Sequence, residues 1–217
     1  MKEKTARTYL DMDTWKRKSA FLNFWGTDLP YLNVGAELDV TNLYHFTKQN
    51  QLSFYFALTY LANTTADSIL NYRYRFEDGK PFEIEHNTAF VTYLRKGEEN
   101  YFMVECEDHP TLSEFCRINY SRANNPAAID AMPALKGRLD VICYTCLPWI
   151  NYTHIFRTIA KNGIDCNPKL SWGKFYQRDG HVYVNFTNQT HHGLMDGYHV
   201  GQYYIKLQER LDHSDWE

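Results

Sequence analysis

Apolar residues recur every three to four positions in the first third of the chain, which is the spacing of a helix with one buried face. One such helix is predicted from a cap at Asp13 through residue 25, and others are predicted to begin at Thr41 and near Ser53. Residues 110–119 and the stretch after Gly197 predict two more helices. Helices are therefore expected in the first third, in the middle and at the end.

Between these helices lie short segments rich in aromatic and β-branched residues, separated by turn signals such as Asp78-Gly79 and Asp179-Gly180. Strands are predicted at residues 71–76, 82–85, 89–94, 101–106, 139–147, 172–177 and 181–188. Residues 121–133, rich in Asn, Ala and Pro, are predicted as an exposed loop. Because no repeat or linker divides the chain, the sequence predicts one α/β domain over residues 1–217.

Composition and charge argue against several kinds of partner. The formal net charge of −3, with acids and bases intermixed, provides no basic face for nucleic acid. There is no apolar run long enough for a membrane span and no secretion signal, so we expect a cytoplasmic protein without a membrane partner. Five cysteines at irregular spacing are typical of a reducing compartment.

The segment HHGLMDG at residues 191–197 joins the last predicted strand to the last predicted helix. Alternation along a strand predicts that His191 and His192 face opposite sides. Imidazole is suited to removing a proton from an alcohol near neutral pH, and Asp196 is placed to cap the helix or to pair with an arginine. These residues alone leave catalysis and a structural role for the histidines about equally favoured.

The stretch HHGLMDGYHV resembles the HHxxxDGxHV signature of the chloramphenicol acetyltransferase family, and its HxxxDG core is similar to that of the wider acyltransferase superfamily. Further segments resemble the family in the same order, namely Trp15-Lys16-Arg17-Lys18 with Phe21, Leu29-Pro30, Phe54-Tyr55-Phe56, Tyr72-Arg73 with Asp78-Gly79, Pro148-Trp149, and Gly173-Lys174-Phe175 with Asp179-Gly180. The resemblance implies a two-layer α/β sandwich with a mixed, largely antiparallel sheet.

The resemblance also implies a reaction and a set of site residues. His192 would deprotonate the acceptor hydroxyl, which attacks the thioester of acetyl-coenzyme A directly, and Asp196 would pair with Arg17. Acetyl-coenzyme A would be a co-substrate, with no permanently bound cofactor and no metal. The acceptor pocket would be lined by Trp25, Leu29, Tyr31 and Asn33 on the loop after the first helix, and the coenzyme channel by Ser171, Lys174 and Phe175. Homotrimers with active sites between subunits are implied as well.

One position departs from the family pattern. The family uses a serine to hydrogen-bond the developing oxyanion, and counting from Pro148-Trp149 places His154 there. An imidazole N–H is also a donor, so His154 is expected to take this role, with Thr153 as the alternative. Tyr31 and Asn33 also differ from the residues common in the family's acceptor loop, which predicts an acceptor pocket of another shape.

Other interpretations remain open at this point. The chain is expected to transfer acetyl to chloramphenicol or a similar small hydroxyl acceptor; the alternatives are a different alcohol or thiol acceptor, or a non-catalytic trimeric binding protein. Cys143 and Cys146 have the spacing of a redox or zinc motif but lack a second pair. A metal site built from His154, His191, His192 and His199 is disfavoured, because no regular element presents three of them on one face.

Overall fold

The computed structural model describes residues 6–130, 137–160 and 163–217. Its strands are β1 (Arg7–Tyr9), β2 (Tyr31–Asp39), β3 (Tyr74–Glu77), β4 (Lys80–Ile84), β5 (Thr88–Tyr93), β6 (Phe102–Glu105), β7 (Val141–Leu147), β8 (Lys169–Gly173), β9 (Tyr176–Arg178) and β10 (His181–His191). Strands β1, β4 and β3 form a small antiparallel sheet. The other seven form the main sheet.

The main sheet has the strand order β2-β10-β8-β7-β5-β6, with β9 beside β10. β7 is parallel to β5 and to β8, and the remaining neighbours in this order are antiparallel. The long strand β10 lies between β2 and β8, so its two neighbours fix its direction at the point where it leaves the sheet. The sheet is mixed and largely antiparallel, which confirms the predicted fold class.

One face of the main sheet is covered by helices. The helices are α1 (Lys18–Phe24), α2 (Thr41–Gln49), α3 (Phe54–Asp67), α4 (Leu112–Asn124), α5 (Pro126–Asp130) and α6 (Gly197–Asp212), with a short 3-10 helix at Leu70–Arg73. Alternate residues of β10, such as Val184 and Phe186, join the core beneath α3 and α6. Helices on one face of the sheet give the two layers that the sequence resemblance implied.

The opposite face of the sheet is lined by buried polar side chains, including Ser171, Thr187 and Gln189. The segment after β7 crosses this face. The Lys174 N–H donates to the Ile150 carbonyl at 2.8 Å, and a Cβ at Gly35 would lie 3.0 Å from the Thr153 carbonyl oxygen. Glycine at this position lets the segment approach β2 without a tight side-chain contact.

Several predicted elements differ from the structure. The first helix begins at Lys18 instead of at Asp13, because Asp11 forms a separate turn by accepting hydrogen bonds from the Asp13 N–H and the Thr14 hydroxyl. The strand predicted at residues 71–76 begins as a 3-10 helix. Tyr31 and Asn33 lie in strand β2 instead of in a loop, because the whole segment pairs with β10.

The exposed loop predicted at residues 121–133 is also largely wrong. α4 continues to Asn124, where the side-chain amide donates back to the Tyr120 carbonyl, and α5 begins at Pro126. Proline is well tolerated in the first turn of a helix, so it marked a helix start here. Residues 131–133 lie outside the described ranges. None of the helices in the described part of the chain is both long and apolar enough to cross a membrane.

Candidate active site

The junction between β10 and α6 holds the histidine turn, which we define as residues 191–197. β10 ends at His191, and α6 begins at Gly197. Asp196 is the N-cap of α6, where its carboxylate accepts a hydrogen bond from the Tyr198 N–H at 3.1 Å. The turn is therefore fixed at one end by the sheet and at the other by the helix.

An ion pair anchors the turn to the start of α1. Arg17 Nη1 donates to Asp196 Oδ2 at 3.0 Å, and Nη2 donates to the His192 carbonyl at 3.3 Å. Burial by itself raises the pKa of Asp196, but the hydrogen bonds and charges of Arg17 and His199 outweigh it and lower that pKa to about 2. Asp196 is thus a carboxylate at neutral pH, and it holds Arg17 against the backbone of His192.

His191 is a buried structural imidazole, 2% exposed. Its Nδ1 accepts a hydrogen bond from the Gly193 N–H at 3.1 Å, so Nε2 carries the proton and donates to the Gly163 carbonyl at 3.1 Å. Burial lowers the pKa of His191 to about 4. Both ring nitrogens are occupied, so this side chain is not available for proton transfer.

His192 has the opposite character. Its backbone is held on both sides, because its N–H donates to the Pro30 carbonyl at 2.8 Å and its carbonyl accepts from Arg17. Its ring stacks on Phe24 with centroids 4.2 Å apart and planes 12° apart. Nδ1 is buried and has no hydrogen-bond partner in the described residues, while the side chain is partly exposed. The turn therefore presents a fixed imidazole whose ring makes no hydrogen bond within the described residues.

The residues expected to line the acceptor pocket divide into two pairs. Trp25 and Leu29 are exposed, at 38% and 60%, and Trp25 also packs against Phe21 and Phe76. Tyr31 and Asn33 are instead used within the chain: the Tyr31 hydroxyl accepts from the Asp165 N–H at 3.2 Å, and the Asn33 amide donates to the Ile155 carbonyl and to Gln189, each at 3.0 Å. Their part in acceptor binding stays a prediction.

His154 lies away from the histidine turn of its own chain. It is exposed, and its ring rests against Gly35 of β2. The strand partner of His191 is Tyr31, four residues from Gly35. At ~3.3 Å per residue, roughly 13 Å of strand separates His154 from the end of β10. The expected oxyanion role of His154 stays a prediction, because His154 and the end of β10 do not meet within one chain.

The expected coenzyme residues lie on β8 and in the turn that follows it. Ser171 is buried, and its hydroxyl accepts from Arg157 Nη1 at 3.1 Å. Lys174 is exposed. Phe175 packs against Tyr44 and Phe54, with ring centroids 5.1 and 5.9 Å away. These three side chains do not meet at one point in the single chain, and their role in coenzyme binding stays a prediction.

A cleft of about 740 Å³ opens where the parallel strands β5 and β7 end. We call it the strand-end cleft. Its walls include Tyr55 and Arg157, and the hydroxyls of Thr92 and Thr145, which lie 3.1 Å apart. Carboxyl ends of parallel strands commonly hold binding sites. The sequence did not reveal this cleft, because the parallel pairing of β5 and β7 joins segments about fifty residues apart.

The cysteines carry no sign of redox or metal chemistry. Burial raises the pKa of the Cys146 thiol to about 12, and burial also raises the pKa of the Cys143 thiol, so both stay protonated at neutral pH. Across residues 6–130, 137–160 and 163–217, no three His, Cys, Asp or Glu side chains are grouped so that they could hold a metal ion.

Comparison with solved structures shows which class of fold this is. A chloramphenicol acetyltransferase superposes with a TM-score of 0.82 at 23% identity, covering 95% of this chain and 100% of the other. A probable dihydrolipoamide acetyltransferase from Listeria monocytogenes superposes with a TM-score of 0.67 at 12% identity, covering 94% of each chain. The fold is that of these acetyltransferases.

Sequence comparison then identifies the family. A sequence model described as chloramphenicol acetyltransferase matches residues 6–208, so the chain belongs to the chloramphenicol acetyltransferase family. A chloramphenicol acetyltransferase from Staphylococcus aureus is 26% identical over 212 residues, covering 92% of this chain and 96% of the relative. One from Clostridium perfringens is 24% identical over 203 residues, covering 92% of each. The resemblance seen in the sequence is confirmed.

Proposed function

We propose that this protein is an O-acetyltransferase that uses acetyl-coenzyme A as co-substrate and chloramphenicol or a similar small molecule as hydroxyl acceptor. The observation that carries the proposal is His192, a fixed imidazole at the position of the family signature, with no hydrogen bond to its ring within the described residues. An acceptor and acetyl-coenzyme A are then the partners, and the reaction needs no resident cofactor. The five free cysteines are consistent with a cytoplasmic location.

In this mechanism His192 acts as the general base. Because Nδ1 is buried, Nε2 is the nitrogen that reaches the acceptor hydroxyl and takes its proton. The alcohol oxygen attacks the thioester carbonyl and forms a tetrahedral oxyanion. Its collapse expels the coenzyme thiolate, which recovers the proton from the imidazolium. Arg17 and Asp196 are positioning residues, since they contact the backbone and the helix cap of the turn.

A homotrimer with active sites between subunits is part of the proposal. Within one chain, His192 is remote from His154, and the expected coenzyme residues lie on another part of the sheet. A site between subunits brings the histidine turn of one chain to the sheet face of the next. Mixing two inactive variants tests this arrangement. Trimers assembled from His192→Ala chains and chains without the oxyanion donor, His154→Ala or Thr145→Val as the comparison below assigns it, should regain activity only if the two residues act from different subunits.

The donor to the oxyanion needs its own test. His154 is the donor proposed from the sequence, but its ring lies outside the strand-end cleft, whereas the Thr145 hydroxyl lies inside it. Loss of the true donor lowers kcat by about 100- to 1,000-fold. We therefore compare His154→Ala with Thr145→Val, a pair in which only one variant should show this loss. A loss confined to Thr145→Val would transfer the role to Thr145.

The activity is tested with purified protein, acetyl-coenzyme A and chloramphenicol, by following release of the coenzyme thiol and the mass of the acetylated product. Release that depends on chloramphenicol and disappears in His192→Ala supports the proposal. Release that survives His192→Ala would falsify the general-base assignment. Absence of product with chloramphenicol and with a panel of alcohols and thiols would favour a binding protein.

A further inference from the structure

A half-buried arginine in the strand-end cleft has no carboxylate partner among the described residues. Arg157 Nη1 donates to the Ser171 hydroxyl at 3.1 Å and lies 3.5 Å from the Cys143 carbonyl oxygen. Within residues 6–130, 137–160 and 163–217, the guanidinium has no ion pair and no further hydrogen bond. Burial lowers its pKa, but a guanidinium keeps its charge at neutral pH. The cleft therefore contains a cation whose remaining N–H donors are available to a ligand.

The backbone of Arg157 is fixed to the sheet. The Gln189 side chain accepts from the Arg157 N–H at 2.7 Å and donates to the Arg157 carbonyl at 3.3 Å. Gln189 itself is buried and also accepts from Asn33. Because the buried sheet face holds the residue at its main chain, Arg157 is not a mobile surface arginine that happens to lie near a cavity.

The other charged groups of the cleft lie in the segment between β5 and β6. They are Arg95, Lys96, Glu98 and Glu99, so they contribute both signs equally. Arg95 lies 3.9 Å from Glu98 and above the ring of Phe102. These charges compensate one another, and the uncompensated charge belongs to Arg157.

We propose that the strand-end cleft selects an acceptor bearing a carboxylate, which Arg157 binds through its open donors. A cation that is partly withdrawn from solvent is stabilised by an anion that pairs with it, and the planar guanidinium matches a carboxylate in two-point contact. This inference rests on the proposed acetyl transfer and defines the acceptor as a hydroxy acid. Chloramphenicol, which has no carboxylate, is then a poorer acceptor than a hydroxy acid of similar size.

A matched pair of acceptors tests this preference. 4-(Hydroxymethyl)benzoate and 4-(hydroxymethyl)benzamide present the same alcohol and differ in the group that faces Arg157. We expect kcat/KM to favour the carboxylate by roughly 10- to 100-fold, the range for a hydrogen bond to a charged group. Arg157→Leu should abolish the preference, and Arg157→Lys should retain part of it. Arg95→Leu, which removes a charge from the same cleft, should change it by about threefold or less.

Calorimetric binding of the two compounds without acetyl-coenzyme A separates this inference from the proposed function. If the carboxylate binds in a way that depends on Arg157 but is not acetylated, the anion site is supported and the proposed reaction is contradicted. Equal kcat/KM for both acceptors in the unmodified enzyme would overturn the inference while leaving acetyl transfer intact. Loss of the oligomer in Arg157→Leu, with no carboxylate preference beforehand, would also overturn it and assign Arg157 to a subunit contact.

Discussion

The histidine turn and the strand-end cleft each contain an arginine, and the two arginines are satisfied in opposite ways. Arg17 pairs with Asp196 and with a backbone carbonyl of the same turn. Arg157 has only a serine hydroxyl and a distant carbonyl in the described residues. The arginine of the histidine turn therefore has its counter-ion within the chain, whereas the arginine of the cleft has none among the described residues.

This difference shows two roles for arginine: Arg17 holds His192 in position, whereas Arg157 has donors available for a ligand. The Pro30 carbonyl, Arg17 and the Phe24 ring support His192 within its own chain, so its ring is in place before any substrate arrives. Such preorganisation is what a general base requires. The backbone of Arg157 is also fixed, but its guanidinium has no anion to pair with among the described residues.

The largest effect is expected from His192→Ala. Loss of a general base lowers kcat by about 100- to 10,000-fold, and the melting temperature should change little because the ring makes no hydrogen bond in the described residues. The exposed His213, changed to Ala, is the matched control and should retain full activity. Steady-state thiol release and thermal melting measure both quantities. A large drop in melting temperature for His192→Ala would make the ring a structural group.

The second prediction concerns pH and the neighbouring His191. Its pKa is about 4 in the folded protein and near 6.5 when unfolded. As the pH falls, the unfolded state therefore binds a proton before the folded state does. The free energy of unfolding has its full value above about pH 6.5 and decreases as the pH falls towards 4. The loss is about 3 kcal/mol. Denaturant unfolding at several pH values measures it, and His191→Asn, which does not titrate, should flatten this part of the profile. An unchanged profile would contradict the buried neutral imidazole.

These two adjacent histidines also show what the sequence could predict. Strand alternation predicted that they would face opposite sides; in the structure β10 ends at His191, which is buried, and His192 in the turn is partly exposed. The sequence did not reveal which one would be occupied by hydrogen bonds. The Nε2 partner of His191 is a carbonyl at Gly163, which is distant in the chain. Local sequence patterns predict helices and strands, but they do not predict contacts between distant residues such as this one.

The fold was predictable for the same reason, and only in part. The helices that begin at Thr41 and near Ser53 follow the apolar period, and the family signature supplied the overall architecture. Strand β2 was missed because its character depends on pairing with β10 along its whole length. The strand-end cleft was missed because parallel neighbours are never adjacent in sequence. Non-local pairing accounts for both omissions.

The third prediction tests the support beneath His191. Gly163 has a φ of +63°, and a Cβ there would collide with the Thr27 carbonyl and with the Pro30 ring. Gly163→Ala should therefore destabilise the protein by roughly 2–4 kcal/mol. Gly97 has a φ of +87° with open space around it, so Gly97→Ala isolates the cost of backbone strain, about 1 kcal/mol. Denaturant unfolding measures the loss of stability in each variant. Equal losses would show that the neighbours of Gly163 shift and relieve the collision with the Cβ.

The smallest effect on stability is expected from Asp196→Asn. The Asp196 side chain is 41% exposed, so solvent screens its pairing with Arg17 and the loss should stay below about 1 kcal/mol. Because the folded pKa is about 2 and the unfolded pKa near 4, this contribution is present above pH 4 and vanishes as the pH falls to 2. Activity at neutral pH should decrease by more than stability does, since Arg17 also holds the His192 carbonyl. Unfolding curves at pH 7 and pH 3, beside kcat at pH 7, distinguish the two effects. Full activity with unchanged melting would mean that the backbone contacts to Pro30 and the stacking on Phe24 position His192 without the ion pair.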